Sequence, residues 1–132
     1  MEKIFNSLGQ SLFSELNDGE DLILSFYGEN SQFVRFNNAS VRQTGLVDDA
    51  DIGLKFIANG RTCGGGFTVS GNFETDLKRG RAEIDRMRSE SNQIPEDPFL
   101  VMPENSGSSH EIKKANGLAF DNAVDAILPA VS

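Results

Sequence analysis

The chain of 132 residues is short of several chemistries. It holds one cysteine, one histidine, one tyrosine, four prolines and no tryptophan. A single cysteine, Cys63, cannot close an internal disulfide, which fits a reducing, cytoplasmic setting. A single histidine, His110, cannot supply the paired imidazoles of a zinc helix. No run of about 18 apolar residues exists, so no segment is expected to cross a membrane. The opening "MEKIFNSLGQSLFSEL" lacks a cationic region followed by an apolar one, and reads as mature helix rather than a signal peptide. Positive charge is also scarce, with Lys+Arg 12 against Asp+Glu 20, a net charge of −8. Phosphate backbones require clustered cations, so nucleic acid is excluded as the main partner. The one dense basic stretch, "LKRGRAEIDRMR", is interleaved with Glu83 and Asp85 and reads as a solvated helix face.

What is present suffices for one domain, with 38% apolar residues, ten of them phenylalanine. Ile4, Phe5, Leu8, Leu12, Phe13 and Leu16 recur at helical spacing and predict a helix over residues 2–16, stopped by Asn17-Asp18-Gly19. "EDLILSFYGEN" predicts an inner strand. "QFVRFNNASVRQTGL" predicts two more runs joined at Asn37-Asn38-Ala39, where asparagine tolerates the left-handed region. In "DIGLKFIANGRTCGGGFTVS", Ile52, Leu54, Phe56 and Ala58 share one face, and Asn59-Gly60 is the preferred pair of a two-residue type I′ hairpin turn. The three glycines Gly64, Gly65 and Gly66 therefore fall inside the return strand. Gly65 is expected on the side of Cys63, Phe67 and Val69, with Gly64 and Gly66 opposite. A large side chain at Gly65 should overpack the core, and the same change at Gly64 or Gly66 should matter less. Arg61 is expected to face away from the Cys63 side only if the alternation is unbroken, and Cys63 is expected to be a small buried core residue.

After "SGN" the period changes. Phe73, Leu77, Gly80, Ile84 and Met87 mark a helix to about residue 90, with Asn72 as N-cap and Glu74 and Asp76 at the positive end of its dipole. Pro95, Pro98 and Pro103 end it. Phe99 to Met102 reads as a short edge strand, 104–117 as a flexible linker, and 118–132 as the start of a following helical segment. Val124, Ile127, Leu128 and Val131 form that segment's apolar side.

No stretch carries a catalytic pattern. A phosphate loop requires its glycines at a helix N-terminus followed by Lys-Ser/Thr, and the glycine run meets neither condition. His110-Glu111 is followed by Lys113, Lys114 and Ala115, so no second imidazole arrives one turn later. Asp48, Asp49 and Asp51 lack the spacing of a calcium loop and read as a solvated turn. No serine sits in a nucleophile elbow. The site assignment is accordingly empty: no catalytic, cofactor-binding or metal residue.

The order of parts over residues 20–92 resembles the N-terminal domain of the TldD/PmbA family, whose members are described as modulators of DNA gyrase and as zinc metallopeptidases. The resemblance lies in a polar strand with a short turn, a strand into an acidic loop, the glycine strand "GLKFIANGRTCGGGFT", and a helix beginning near "NFETDL". The peptidase members carry H-E-x-x-x-H in a later part of a longer chain, together with a distant cysteine ligand. His110-Glu111 does not match that motif, and no ligand role passes to Cys63.

The expected fold is α+β: a curved, mainly antiparallel sheet of about five strands with two main helices on one face, in a domain of residues 1–103. Three functions compete. The first is a non-catalytic N-terminal domain of such a peptidase or its partner subunit, shaping peptide access or subunit assembly. Its partners would be the remainder of a longer chain or a homologous subunit. The second is a stand-alone module pairing an extended peptide with a sheet edge. The third, an independent small enzyme, lacks the ligands.

Overall fold

The computed structural model describes residues 2–102, 107–114 and 123–131. The described residues form an α+β fold with helix α1 (Glu2–Phe13), strands β1 (Glu20–Asn37), β2 (Ser40–Ala58) and β3 (Arg61–Thr68), helix α2 (Phe73–Ser91) and helix α3 (Ala123–Val131). The sheet has the order β1-β2-β3, and β2 and β3 run antiparallel. Three strands thus stand where five were expected among these residues. The segments around Gly28 and Asp48-Asp49 continue as strand, which merges four expected runs into two long ones, β1 and β2. Strand pairing satisfies their backbone groups more completely than a turn would. Phe99 to Met102 forms no strand: the Phe99 amide donates to Asp97 Oδ1 at 2.9 Å, an Asx turn ahead of Pro98, and Phe99 is 86% exposed.

Two compact units emerge. The first comprises Met1–Glu29 and Asp49–Val101. Its β2–β3 hairpin closes on Asn59 and Gly60, at φ 51° and 69°, the left-handed pair of a type I′ turn. Regular register follows from Ala58↔Arg61 to Asp51↔Thr68. Ile52, Leu54, Phe56 and Cys63 are buried with Leu22, Leu8 and Leu12 of α1, and Leu77, Ile84 and Met87 of α2. Each large apolar side chain sealed in this way contributes about 1.5–3 kcal/mol relative to exposure. Lys55, Gly64, Gly66 and Thr68, at the alternate positions, are exposed, although Ile57 beside the turn is buried. Helix α2 packs on β3 and on α1. At the second of these contacts Gly80 permits the close approach, since a Cβ there would stand 2.7 Å from a methyl of the buried Leu12 and force it to shift.

Helix α1 ends three residues before the expected limit. Glu15 and Leu16 donate to Leu12 and Phe13, closing tighter turns, and Gly19 (φ 81°) completes the turn in which Glu20 N–H donates to Asn17 O. Asn72 caps α2, its side chain accepting from Thr75 N–H at 3.0 Å.

The glycine run behaves differently from expectation at one position. A Cβ on Gly66 would lie 2.7 Å from the backbone carbonyl oxygen of Ile52. On Gly65 it would meet the side-chain ends of Glu83 and Arg86, with Met87 Sδ at 3.5 Å, and on Gly64 nothing within 4 Å. Gly66 is therefore the least replaceable of the three, because a backbone atom cannot rotate away as a side chain can.

The second unit comprises Asn30–Asp48 and Met102–Ser132. Its hairpin tip turns on Asn38 and Ala39, at φ 48° and 53°. Gly45 lies beneath the Phe33 ring, 2.6 Å from the place a Cβ would take, and Arg35 stacks 5.4 Å from that ring's centroid while donating to Gln43 at 3.3 Å. Residues 107–114 carry neither helix nor strand and are exposed. The remaining positions of the expected linker, 104–106 and 115–117, lie outside the described residues, as do 118–122 of the expected terminal segment. Helix α3 begins at Ala123.

Candidate functional site

The ionisable side chains of the first unit converge on α2. Its first turn carries Asp76, which is fully buried. Ser70 donates its amide and its hydroxyl to Asp76 Oδ1 at 2.9 and 2.8 Å, and Gly71 N–H donates to Oδ2 at 3.2 Å. Gly71 adopts φ 80° to make this possible. Arg79 stands 3.8 Å from the same carboxylate. The turn between β3 and α2 is thus wound around one carboxylate. Dipole reasoning from sequence placed Asp76 in the first turn and said nothing of its burial; the signal available for the deeper role was the Ser-Gly-Asn just before the helix.

At the other end of α2, Arg88 grips Glu20 with a two-pronged contact, Nε to Oε1 at 2.6 Å and Nη2 to Oε2 at 2.8 Å. Arg88 also donates to Glu15 O at 3.1 Å and pairs with Asp85. The Glu20 side chain is only 9% exposed and accepts from Asn17 as well. The Arg88 hydrogen bonds outweigh the cost of burial and hold the Glu20 carboxyl down at about 2. Arg81 closes a further link with Glu15 at 2.6 Å. Arg86 pairs with Glu83 and Glu90 at 2.8 and 2.6 Å, which keeps its guanidinium above the ordinary range.

The basic stretch is therefore neither a cationic patch nor simply a solvated face. Its four arginines tie α2 to the turn after α1, to β1, to β3 and to its own acids. Period-based reading could not pair these groups, because their partners lie up to 73 residues away.

The other residues singled out by sequence do not assemble. Cys63 is buried in the core cluster opposite Phe56. Regular alternation puts Arg61 on the Cys63 side, contrary to expectation, since residues two apart in a strand share a face. Its guanidinium is nonetheless engaged elsewhere: Nε donates to Ile94 O at 2.9 Å, Nη1 to Asn59 O at 3.1 Å, and Nη2 meets Glu96 at 3.2 Å. Asp48, Asp49 and Asp51 lie within β2, not in a turn. Asp49 Oδ1 accepts from the Ala50 amide and Asp51 Oδ1 from Thr68 Oγ1. His110 is exposed, and Glu111 pairs with exposed Lys113 at 3.4 Å. Among the described residues no three His, Cys, Asp or Glu side chains group as metal ligands.

The first unit also carries a concave surface. Phe5, Asn6, Gly9, Gln10 and Phe13 of α1 and Leu24 of β1 line an open groove of about 430 Å³. Its walls offer carboxamides and hydrocarbon but no acid or base, so it can hold an apolar side chain and cannot transfer a proton.

No family model matches the chain, and neither a curated protein nor a solved structure matches it. No helix among the described residues is long and apolar enough to cross a membrane.

Proposed function

We propose that this chain serves as a non-catalytic N-terminal domain of a TldD/PmbA-type peptidase or of its partner subunit, shaping peptide access or subunit assembly. The observation that carries this reading is the order of elements. A hairpin with a short Asn-containing turn leads to the glycine strand β3 and then to the Asn72-capped helix α2, over the residues that carry the resemblance. A second support is the use of charge: Asp76, Glu20, Arg61, Arg81, Arg86 and Arg88 all make contacts that hold separate segments of the fold together. The same reading has α1 and α2 covering one face of the sheet, with the other face turned toward the rest of a longer protein or a second subunit.

Reading the coding sequence outward from these codons tests the proposal. The expected result is a downstream segment carrying H-E-x-x-x-H or its degenerate counterpart. The chain alone should cleave no casein-derived peptide and retain no stoichiometric zinc after dialysis. Zinc that survives dialysis, with peptide cleavage lost in His110→Ala, would overturn it.

A further inference from the structure

Among the described residues strand β3 ends the sheet, and such a strand ordinarily presents a row of backbone donors and acceptors to any extended chain. Register tells which groups face outward. Val69 N–H donates to Ala50 O at 2.7 Å, and the pairing runs without a bulge to Ala58↔Arg61. Antiparallel alternation then directs the amides and carbonyls of Cys63, Gly65 and Phe67 to β2, and those of Thr62, Gly64, Gly66 and Thr68 away from it. Two of these outward carbonyls are occupied. Arg86 Nη2 donates to Gly64 O at 3.2 Å, and Arg79 Nη1 donates to Thr68 O at 2.9 Å. Both guanidiniums are steadied from their own helix, Arg86 by Glu83 and Glu90, and Arg79 by the buried Asp76.

We infer that Arg79 and Arg86 close the outer edge of β3 against strand addition, and that the strand they exclude is β3 of a second copy of this chain. Adding a strand requires the carbonyls of alternate residues in succession, so capping Gly64 and Thr68 leaves only the Gly66 carbonyl between them. Gly64, Gly65 and Gly66 present no side chains, and two identical strands can meet antiparallel about a twofold axis. The spacing of the arginines suits the task. Seven residues along α2 span about 10.5 Å, and the four residues from Gly64 to Thr68 span about 13 Å, so one helix face serves two carbonyls on one strand.

The double variant Arg79→Gln/Arg86→Gln in the full chain tests the inference. Sedimentation velocity over a range of concentrations should show a higher weight-average mass than wild type, rising with concentration. Amide exchange at Gly64, Gly66 and Thr68 should slow by tenfold or more in the associated form. Adding Gly64→Pro should abolish both effects: its amide points away from β2, so the ladder within the chain survives while the edge loses a donor. The milder Arg79→Lys/Arg86→Lys pair should move in the same direction by less. A folded double variant with wild-type mass and exchange overturns the inference. Loss of folding in both pairs overturns it too, since the arginines would then be supports of the helix–sheet contact.

Discussion

The two hairpin turns have nearly the same backbone and different surroundings. Asn59-Gly60 and Asn38-Ala39 both lie in the left-handed region, within 16° of one another in φ. Beside the first, Phe56, Ala58 and Cys63 are buried and Arg61 is pinned to Ile94 and Glu96. Beside the second, Asn37, Ser40 and Val41 are exposed. Turn geometry is thus a local property that either sequence can write. The depth of packing beside the turn is not, and stability should follow the packing. Even the glycines differ: Gly45 has an aromatic ring over it, whereas Gly66 has a backbone carbonyl against it.

The comparison breaks most easily at the core. Phe56→Ala should cost about 3–5 kcal/mol by chemical denaturation, because Phe56 is fully buried and its loss leaves a cavity. Phe33→Ala, in the tip hairpin, should cost about 1 kcal/mol or less, since that ring is only partly buried. Equal losses would mean that the tip carries as much of the fold as the core hairpin does.

Next in size is the glycine strand. Gly66→Leu should cost about 3 kcal/mol, the upper part of the overpacking range, while Gly64→Leu should leave the thermal midpoint within a degree or two of wild type. Gly65→Leu should fall between, because Arg86 and Glu83 can swing aside. Matching losses at Gly64 and Gly66 would contradict the close approach to Ile52.

Acid should separate the two regions by about 2 kcal/mol. Glu20 is held at about 2, below the ordinary 4.5, so its contribution is complete above pH 4.5 and is lost as pH falls toward 2. That figure discounts the full shift for the partial exposure of Arg88. Urea titrations at successive pH values should show the decline in wild type and a much flatter profile in Glu20→Gln. Exchange at the tip amides should be indifferent to it.

The smallest effects belong to the turns themselves. Gly60→Val should cost about 1–2 kcal/mol, since a β-branched residue is strained at φ 69°. Ala39→Gly should gain up to about 1 kcal/mol, as Ala39 already bears left-handed strain. A loss in Ala39→Gly would show that chain entropy outweighs the strain there.

What could be read without coordinates were the features whose causes lie within a few residues. The α1 and α2 periodicities, the Asn72 cap, the Asn59-Gly60 turn and the strand character of the glycine run depend on neighbours in sequence, and each is where its residues place it. The continuity of β1 through Gly28 and of β2 through Asp48-Asp49 was hidden, because each gains its backbone partners from another strand. Asp76 shows the same limit. Its acidic type suits a helix N-terminus, but its burial comes from Ser70 and Gly71 folding back upon it. A linear reading of the α2 arginines, likewise, reaches only the acids three or four residues away. Glu15 and Glu20, and the carbonyls of Gly64 and Thr68, arrive only when the chain has closed on itself. Propensity, capping and turn chemistry are short-range energies that the sequence by itself determined. Which charges pair, which glycine tolerates no side chain and which sheet edge is covered were decided by the tertiary structure, because each is a distance between atoms that only long-range packing sets.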